Sequence, residues 1–505
     1  MFFFFFYYKI IVAAMAASLF TKMNQGVKIA RNTVIQFVGK ALSIILGVIT
    51  LSLTTRYLGQ IGYGYYTTVL VFLQFFAILM DFGLYLTLMR EVNLEPEKEN
   101  WIFNNVFTLR IISAIIILCL APIVVIFFPY PAIVKWGIAL TALAFIFSSL
   151  VQIFTALFQK RLAMAKVMLA EIFGRCIHLL FIILIIWLNG NLLTILTGNV
   201  LNAIIYFLAL FIYARSFIKI NLQFDFNYWK KIIQKTWPIA VGIIFNLIYF
   251  KTDTLILSVL KPAGDVGIYG APYKFLEILA ALPHLFLGLV LPILTITWAQ
   301  KNLLEFRKIY QASFDFFALV GAPLIFGTLI IGTPVITLFA GPEFAASGPV
   351  LKILMVATVL IFFGTLFNYF IIAIDQQKKI LKYFIITSIL SVIGYLIFIP
   401  LYSYYGAAWL TVFSEAFIAL MSFWLGWRLT KISLSLKIFL KIIPASLIMT
   451  LIIYLLKFLP VLPLIFIGIV VYGLLLILFK AISIDFIKNI FAKATVNEEP
   501  TLLNE

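Results

Sequence analysis

The residues of this chain best placed to do chemistry are charged side chains set inside long apolar stretches: Lys40, Asp81, Arg110, Glu171, Arg175, Lys251, Asp253, Lys274, Glu277, Asp315, Lys352 and Glu415. A charge at mid-bilayer costs ~2.5–3.5 kcal/mol on insertion scales, so each one demands a partner or a wet surrounding. Glu171 and Arg175 are four apart and Lys274 and Glu277 three apart, so each pair shares a helix face and can neutralise itself. Lys352 lies near a span end, where its stem can reach the interface. Lys40, Asp81, Arg110, Lys251, Asp253, Asp315 and Glu415 have no such partner on their own segment. Lys251 and Asp253 are two apart and must look to different neighbours. These side chains are expected to line a cleft or pair across helices within it, with purely structural ion pairs as the alternative. A cleft carrying Lys40, Arg110, Arg175, Lys251 and Lys274 would suit an anionic ligand, and arginine in particular offers paired donors to phosphate oxygens.

The elements that must hold these charges are membrane helices. About fourteen apolar segments run from 33–54 and 65–88 through 438–459 and 462–479, each near the ~20 residues needed to cross the hydrocarbon, with no room for a soluble domain between them. Of the 37 Lys+Arg, 27 fall in the ends and loops that an N-inside topology places on one side. Arg56, Lys135, Lys261 and Lys457 alone fall on the other. Basic residues in short loops fix orientation, so both termini are expected in the cytoplasm of a bacterial or archaeal cell membrane. The net charge of +18 follows from the same bias and faces anionic lipid, which excludes a nucleic-acid partner as its explanation.

Several function classes fall away. Cys119 and Cys176 stand alone in apolar sequence, so no disulfide framework or thiolate metal site is expected. His178 and His284 are too few for haem or a histidine metal cluster, and His178 reads as a helix-packing hydrogen bonder. No Gly-rich phosphate loop ending in Lys-Ser/Thr is present, and the outer loops are too short to carry a catalytic domain. The expectation is a non-enzyme without cofactor. The run Phe2–Phe6 lacks the basic lead of a signal peptide, and translation from Met23 is the more natural reading.

The segments divide into 1–27 (N-terminal segment), 28–217 (six helices), 218–236 (linker), 237–428 (six helices), 429–480 (two further helices) and 481–505 (tail). Tyr63-Gly64 and Tyr269-Gly270 follow the first helix of each six-helix lobe. Lobes with an even number of spans enter the membrane in the same direction, giving a pseudo-two-fold repeat about the membrane normal, an arrangement of alternating-access transporters. The linker run Phe226-Asn227-Tyr228-Trp229-Lys230-Lys231 reads as an amphipathic surface segment.

Arg56-Tyr57-Leu58-Gly59, Gly62-Tyr63-Gly64-Tyr65-Tyr66, Asp81-Phe82-Gly83-Leu84, Tyr249-Phe250-Lys251-Thr252-Asp253, Val266-Gly267-Ile268-Tyr269-Gly270-Ala271-Pro272-Tyr273-Lys274, Gly341-Pro342-Glu343-Phe344 and Tyr405-Gly406-Ala407-Ala408 occur in that order. Over about residues 28–480 they resemble the polysaccharide (O-antigen type) flippases of the multidrug/oligosaccharidyl-lipid/polysaccharide (MOP) superfamily. The resemblance implies an all-α, MATE-like polytopic membrane protein with two six-helix lobes and two C-terminal helices. It also implies a flippase carrying a polyprenyl-diphosphate-linked oligosaccharide from inner to outer leaflet through a cationic cavity, driven by an ion gradient. Arg56 and Lys274 fall where the family has basic residues, and Asp81 and Asp253 where it has acids; Lys274 departs from the usual arginine. The expected substrate-binding set is Lys40, Arg56, Arg110, Arg175, Lys251 and Lys274. Asp81, Asp253, Glu277 and Glu415 are expected to couple H+ or Na+ or to serve as counter-ions. Expected partners are the lipid-linked oligosaccharide, membrane lipids and polysaccharide polymerase or assembly proteins. The rival readings are a drug-and-cation antiporter of the same superfamily and a non-transporting scaffold of an envelope-assembly complex.

Overall fold

The computed structural model describes residues 24–481; the expectations for 1–22 and for nearly all of the 481–505 tail lie outside the described residues. Among the described residues thirteen α-helices follow one another: α1 (Asn24–Asp81), α2 (Leu84–Leu94), α3 (Glu99–Val124), α4 (Ala132–Lys160), α5 (Met164–Trp187), α6 (Leu192–Ala214), α7 (Phe226–Leu260), α8 (Ala263–Ala299), α9 (Leu303–Ala340), α10 (Ser347–Ala373), α11 (Gln377–Thr430), α12 (Phe439–Leu455) and α13 (Val461–Leu478). Apolar sequence of this length takes helical form because hydrocarbon offers the backbone no hydrogen-bond partner outside the helix.

Ten helical stretches among the described residues are long and apolar enough to cross a membrane. Two of them are double crossings. The 58 residues of α1 would reach about 87 Å if straight, far beyond a bilayer. The chain turns at Gly59, whose φ of 63° and ψ of −175° are open to glycine at little cost. In the same way α11 turns at Ser403, φ 49°. α12 is a shorter apolar helix, and α7 carries Lys251 and Asp253 in its length. The protein is a multi-pass, all-helical membrane protein.

Helices α1–α6 form one lobe. Its core has one cluster around Phe103, Phe154 and Phe158 and another around Phe72, Leu118 and Ile138. Helices α7–α11 form the second, with clusters around Phe317, Phe362 and Phe370 and around Tyr269, Leu354 and Tyr395. The pair α12–α13 packs on the outside of the second lobe against α9, through Ile442, Met449 and Leu464 on Ala318 and Ala322.

The inter-lobe linker has two parts. Residues 215–225 are a strap bound to α3. Asn104 donates to the Lys219 carbonyl and accepts from the Asn221 amide; Asn105 accepts from the Asp225 amide and Thr108 from the Gln223 amide. The aromatic-basic run forms the first turns of α7, capped by Asp225, with Lys230 and Lys231 exposed and Trp229 buried and donating to the Asn105 carbonyl. Buried asparagines at a span's edge satisfy a strap that has no regular structure of its own.

Candidate functional site

One face of the molecule carries the basic loops, and the lobes meet near the opposite, far face. There Ser52 and Arg56 of α1 donate to the carbonyls of Phe339 and Leu338 in the last turn of α9. Gln60 donates to the Glu343 carbonyl, and the Glu343 carboxylate lies against Gly59. The end of one lobe's helix and the restart of the other's thus complete each other, since a helix C-terminus offers unpaired carbonyls to cations and an N-terminus attracts acids. The backbones touch as well. A Cβ on Gly64 would stand 1.8 Å from the Ala263 carbonyl oxygen, and one on Gly267 would stand 2.1 Å from that of Gln60. Tyr63, Ala271, Ile336, Phe344 and Met355 seal this seam with a shared apolar cluster.

Below the seam two charged triads stand on opposite lobes. In the first, Glu171 of α5 accepts from Lys40 of α1 at 3.2 Å and from Arg175 at 3.1 Å. In the second, Glu277 of α8 pairs with Lys251 of α7 and, at 2.6 Å, with Lys274. Each triad is one acid between two cations and keeps one net positive charge. In the first lobe the acid is the hidden member, 9% exposed against 40% for Lys40 and 34% for Arg175. In the second, Lys251 is the hidden one at 9%, under the Tyr273 ring at 4.6 Å, while Lys274 is 39% exposed. Arg175 on the first lobe and Lys274 on the second are each left partly exposed. An acid flanked by two cations, one of which stays partly exposed, is an arrangement that can receive an anion.

The structure therefore gathers Lys40, Arg175, Lys251, Lys274 and Glu277 of the expected set, and separates the rest. Arg110 is fully buried away from the cleft: it pairs with Asp81 at 2.7 Å and donates to the carbonyls of Met80 and Ser149 and to Gln152. Four of its five donors are engaged inside the first lobe, where the chain breaks its helix after Asp81, and the whole side chain is buried. Arg56 belongs to the far-face seam rather than to the cleft. Asp253 is buried in the second lobe, receiving hydrogen bonds from Tyr269 at 2.6 Å and Thr411 at 3.3 Å. Glu415 is buried as well, four residues beyond Thr411 on α11. Asp315 is held by Gln311 four residues earlier.

Spacing along the chain could not disclose the seam partners Ser52 and Gln60, nor Asn104 and Asn105. For the asparagines a signal existed, two adjacent amides opening an apolar span. The contacts of Gly64 and Gly267 leave no signal beyond the tyrosine-glycine motifs.

Two helical lobes around a charged cleft, with a helix pair appended to the second lobe, make up an architecture found in membrane transporters. The sequence matches the family described as polysaccharide biosynthesis protein over residues 29–298, and the chain belongs to that family. No curated protein sequence matches it. Among solved structures it is similar to the lipid II flippase MurJ in an inward closed conformation, at 18% identity, TM-score 0.72, with 88% of this chain and 98% of that one covered. An inward-facing multidrug resistance MATE family transporter of the MOP superfamily matches at 12% identity and TM-score 0.62, over 77% of this chain and 95% of that one. A MOP superfamily transporter from Pyrococcus furiosus, described by a binding pocket of reversed polarity, matches at 12% identity and TM-score 0.54, over 79% and 95%. At these identities the likeness is one of fold.

Proposed function

We propose that the chain carries a polyprenyl-diphosphate-linked oligosaccharide from the inner to the outer leaflet of a bacterial or archaeal cell membrane, by alternating access of its two lobes. The observation that carries this reading is the pair of facing triads, each with one uncompensated positive charge. A diphosphate bridging Arg175 and Lys274 is attracted to both, so an anionic headgroup is held where hydrocarbon would reject it. The prenyl tail can stay in lipid while the headgroup moves through the wet cleft. On this reading the face with the basic loops and both termini is cytoplasmic, and the far-face seam is the closed outer gate.

The family and the similar structures support transport over catalysis, and the sign of the cleft supports an anion over the cationic substrates of drug antiporters. Asp253 and Glu415, buried in the second lobe, are the acids proposed to take H+ or Na+ from a gradient. Polysaccharide polymerase or assembly proteins are the proposed partners that use the delivered unit.

The test is a flipping assay with the full chain in liposomes, using a fluorescent short-chain polyprenyl-diphosphate saccharide and an impermeant reagent that scores outer-leaflet label. Wild type should equilibrate the label. A double Arg175→Gln, Lys274→Gln variant should retain its fold and lose flipping. Equal rates from variant and wild type, or transport of organic cations instead, would overturn the reading, and a scaffold role would leave both proteins inert.

A further inference from the structure

His284 lies on α8 seven residues beyond Glu277, two helical turns, and so on the same face of the helix. Its side chain is exposed. Its Nδ1 stands 3.5 Å from the hydroxyl of Tyr369 on α10, with the two rings 6.0 Å apart and inclined by 56°. That contact is long enough to leave hydrogen-bonding capacity on both groups. One turn further toward the basic face, Gly288 has no atom within 4 Å of where a side chain would begin.

Two aromatic rings with polar edges, beside the open space at Gly288, fit one kind of ligand well. Sugars present hydroxyls that both donate and accept, together with apolar C–H faces that lie on aromatic rings. The position agrees. At 1.5 Å rise per residue His284 is about 15 Å from Lys274 along α8, toward the basic face. In the other direction the backbone contacts of Gly64 and Gly267 close the cleft. A headgroup anchored by its diphosphate between Arg175 and Lys274 can extend along this wall.

We infer that His284, Tyr369 and the hollow at Gly288 form a carbohydrate subsite that reads the sugar portion of the lipid-linked substrate beyond its diphosphate. This rests on the function proposed above, and the two are separable by experiment. Binding of three probes to the purified full chain is measured: a short-chain polyprenyl diphosphate without sugar, the same with one sugar, and the same with an oligosaccharide. Wild type should bind the oligosaccharide probe most tightly. The double variant His284→Leu, Tyr369→Phe should lose about tenfold on that probe, the worth of one or two hydrogen bonds, and nothing on the bare diphosphate. Gly288→Leu, which grows into empty space and should leave folding intact, should weaken the oligosaccharide probe in the same selective way. Equal loss on all three probes, or loss on none, overturns the subsite. Bare-diphosphate binding that is indifferent to Lys274→Gln overturns instead the functional reading beneath it, and wild type that binds no probe overturns both.

Discussion

Glu171 and Glu277, on opposite lobes, do the same electrostatic work: each bridges two cations, one of them a lysine from the first helix of its lobe, Lys40 in one case and Lys251 in the other. The pattern explains how several charges can sit inside the membrane region without prohibitive cost. Each acid cancels one cation and lowers the desolvation burden of the second, leaving a single positive charge that a ligand can complete.

Removing a bridging acid should therefore cost stability. Glu277→Gln leaves Lys251 buried beside a second cation with no counter-charge, and loss of one partner of a buried pair costs about 3–5 kcal/mol. Denaturant or thermal unfolding in detergent should show that drop. Lys251→Met combined with Glu277→Leu should recover most of it, because the buried charge and its partner leave together.

Arg110 should behave as a structural residue. Arg110→Met strands Asp81 and the carbonyls of Met80 and Ser149, so a loss of about 3–5 kcal/mol is expected in unfolding measurements. The folded fraction should bind a polyprenyl diphosphate as wild type does. Weaker binding at unchanged stability would return Arg110 to the ligand site.

The far-face seam leaves no room for a methyl group at Gly64 or Gly267. Gly64→Ala should hold the lobes apart on that face. In a background without Cys119 and Cys176, a cysteine at Tyr63, now buried, should become reactive to an impermeant maleimide applied from the far side. Flipping should fall in parallel, while helical content stays unchanged.

Asp253→Asn tests the coupling acid. With Tyr269 and Thr411 still able to bond the amide, the fold should persist. Flipping driven by an imposed proton or sodium gradient should collapse to the rate seen with no gradient. A variant still accelerated by either gradient would remove Asp253 from that role.

Much of the fold was legible because hydrophobic length and loop charge are local properties, and a membrane converts them directly into helices and sides. The pairs Glu171–Arg175 and Lys274–Glu277 were legible too, since three- and four-residue spacings are set by the helix itself. What spacing cannot show is which helices touch. Lys40 finds Glu171 from 131 residues away, and Arg56 reaches carbonyls more than 280 residues on. Arg110 misled for the same reason: a lone arginine in apolar sequence looks free until the helix break after Asp81 turns that carboxylate toward it. Arg56 was assigned to the cleft by its motif, and only the packing of the lobes reveals that it closes the opposite end.

The strap on α3 fastens the start of α7 to the first lobe, and Lys235 of α7 is tied to Glu91 of α2 besides. Further along, the same helix packs against α11, with Ser388 and Tyr395 bonded to its backbone. The same rod is thus fastened to both lobes, and its last turns return to the first, where Ser258 meets Tyr130 and Leu255 and Val259 join the cluster around Phe72 and Leu118. Under the proposed alternating access any rocking has to flex it, and Asp253 lies between its contacts with α11 and that return. An ion bound there would load the shared rod without needing to touch the cargo.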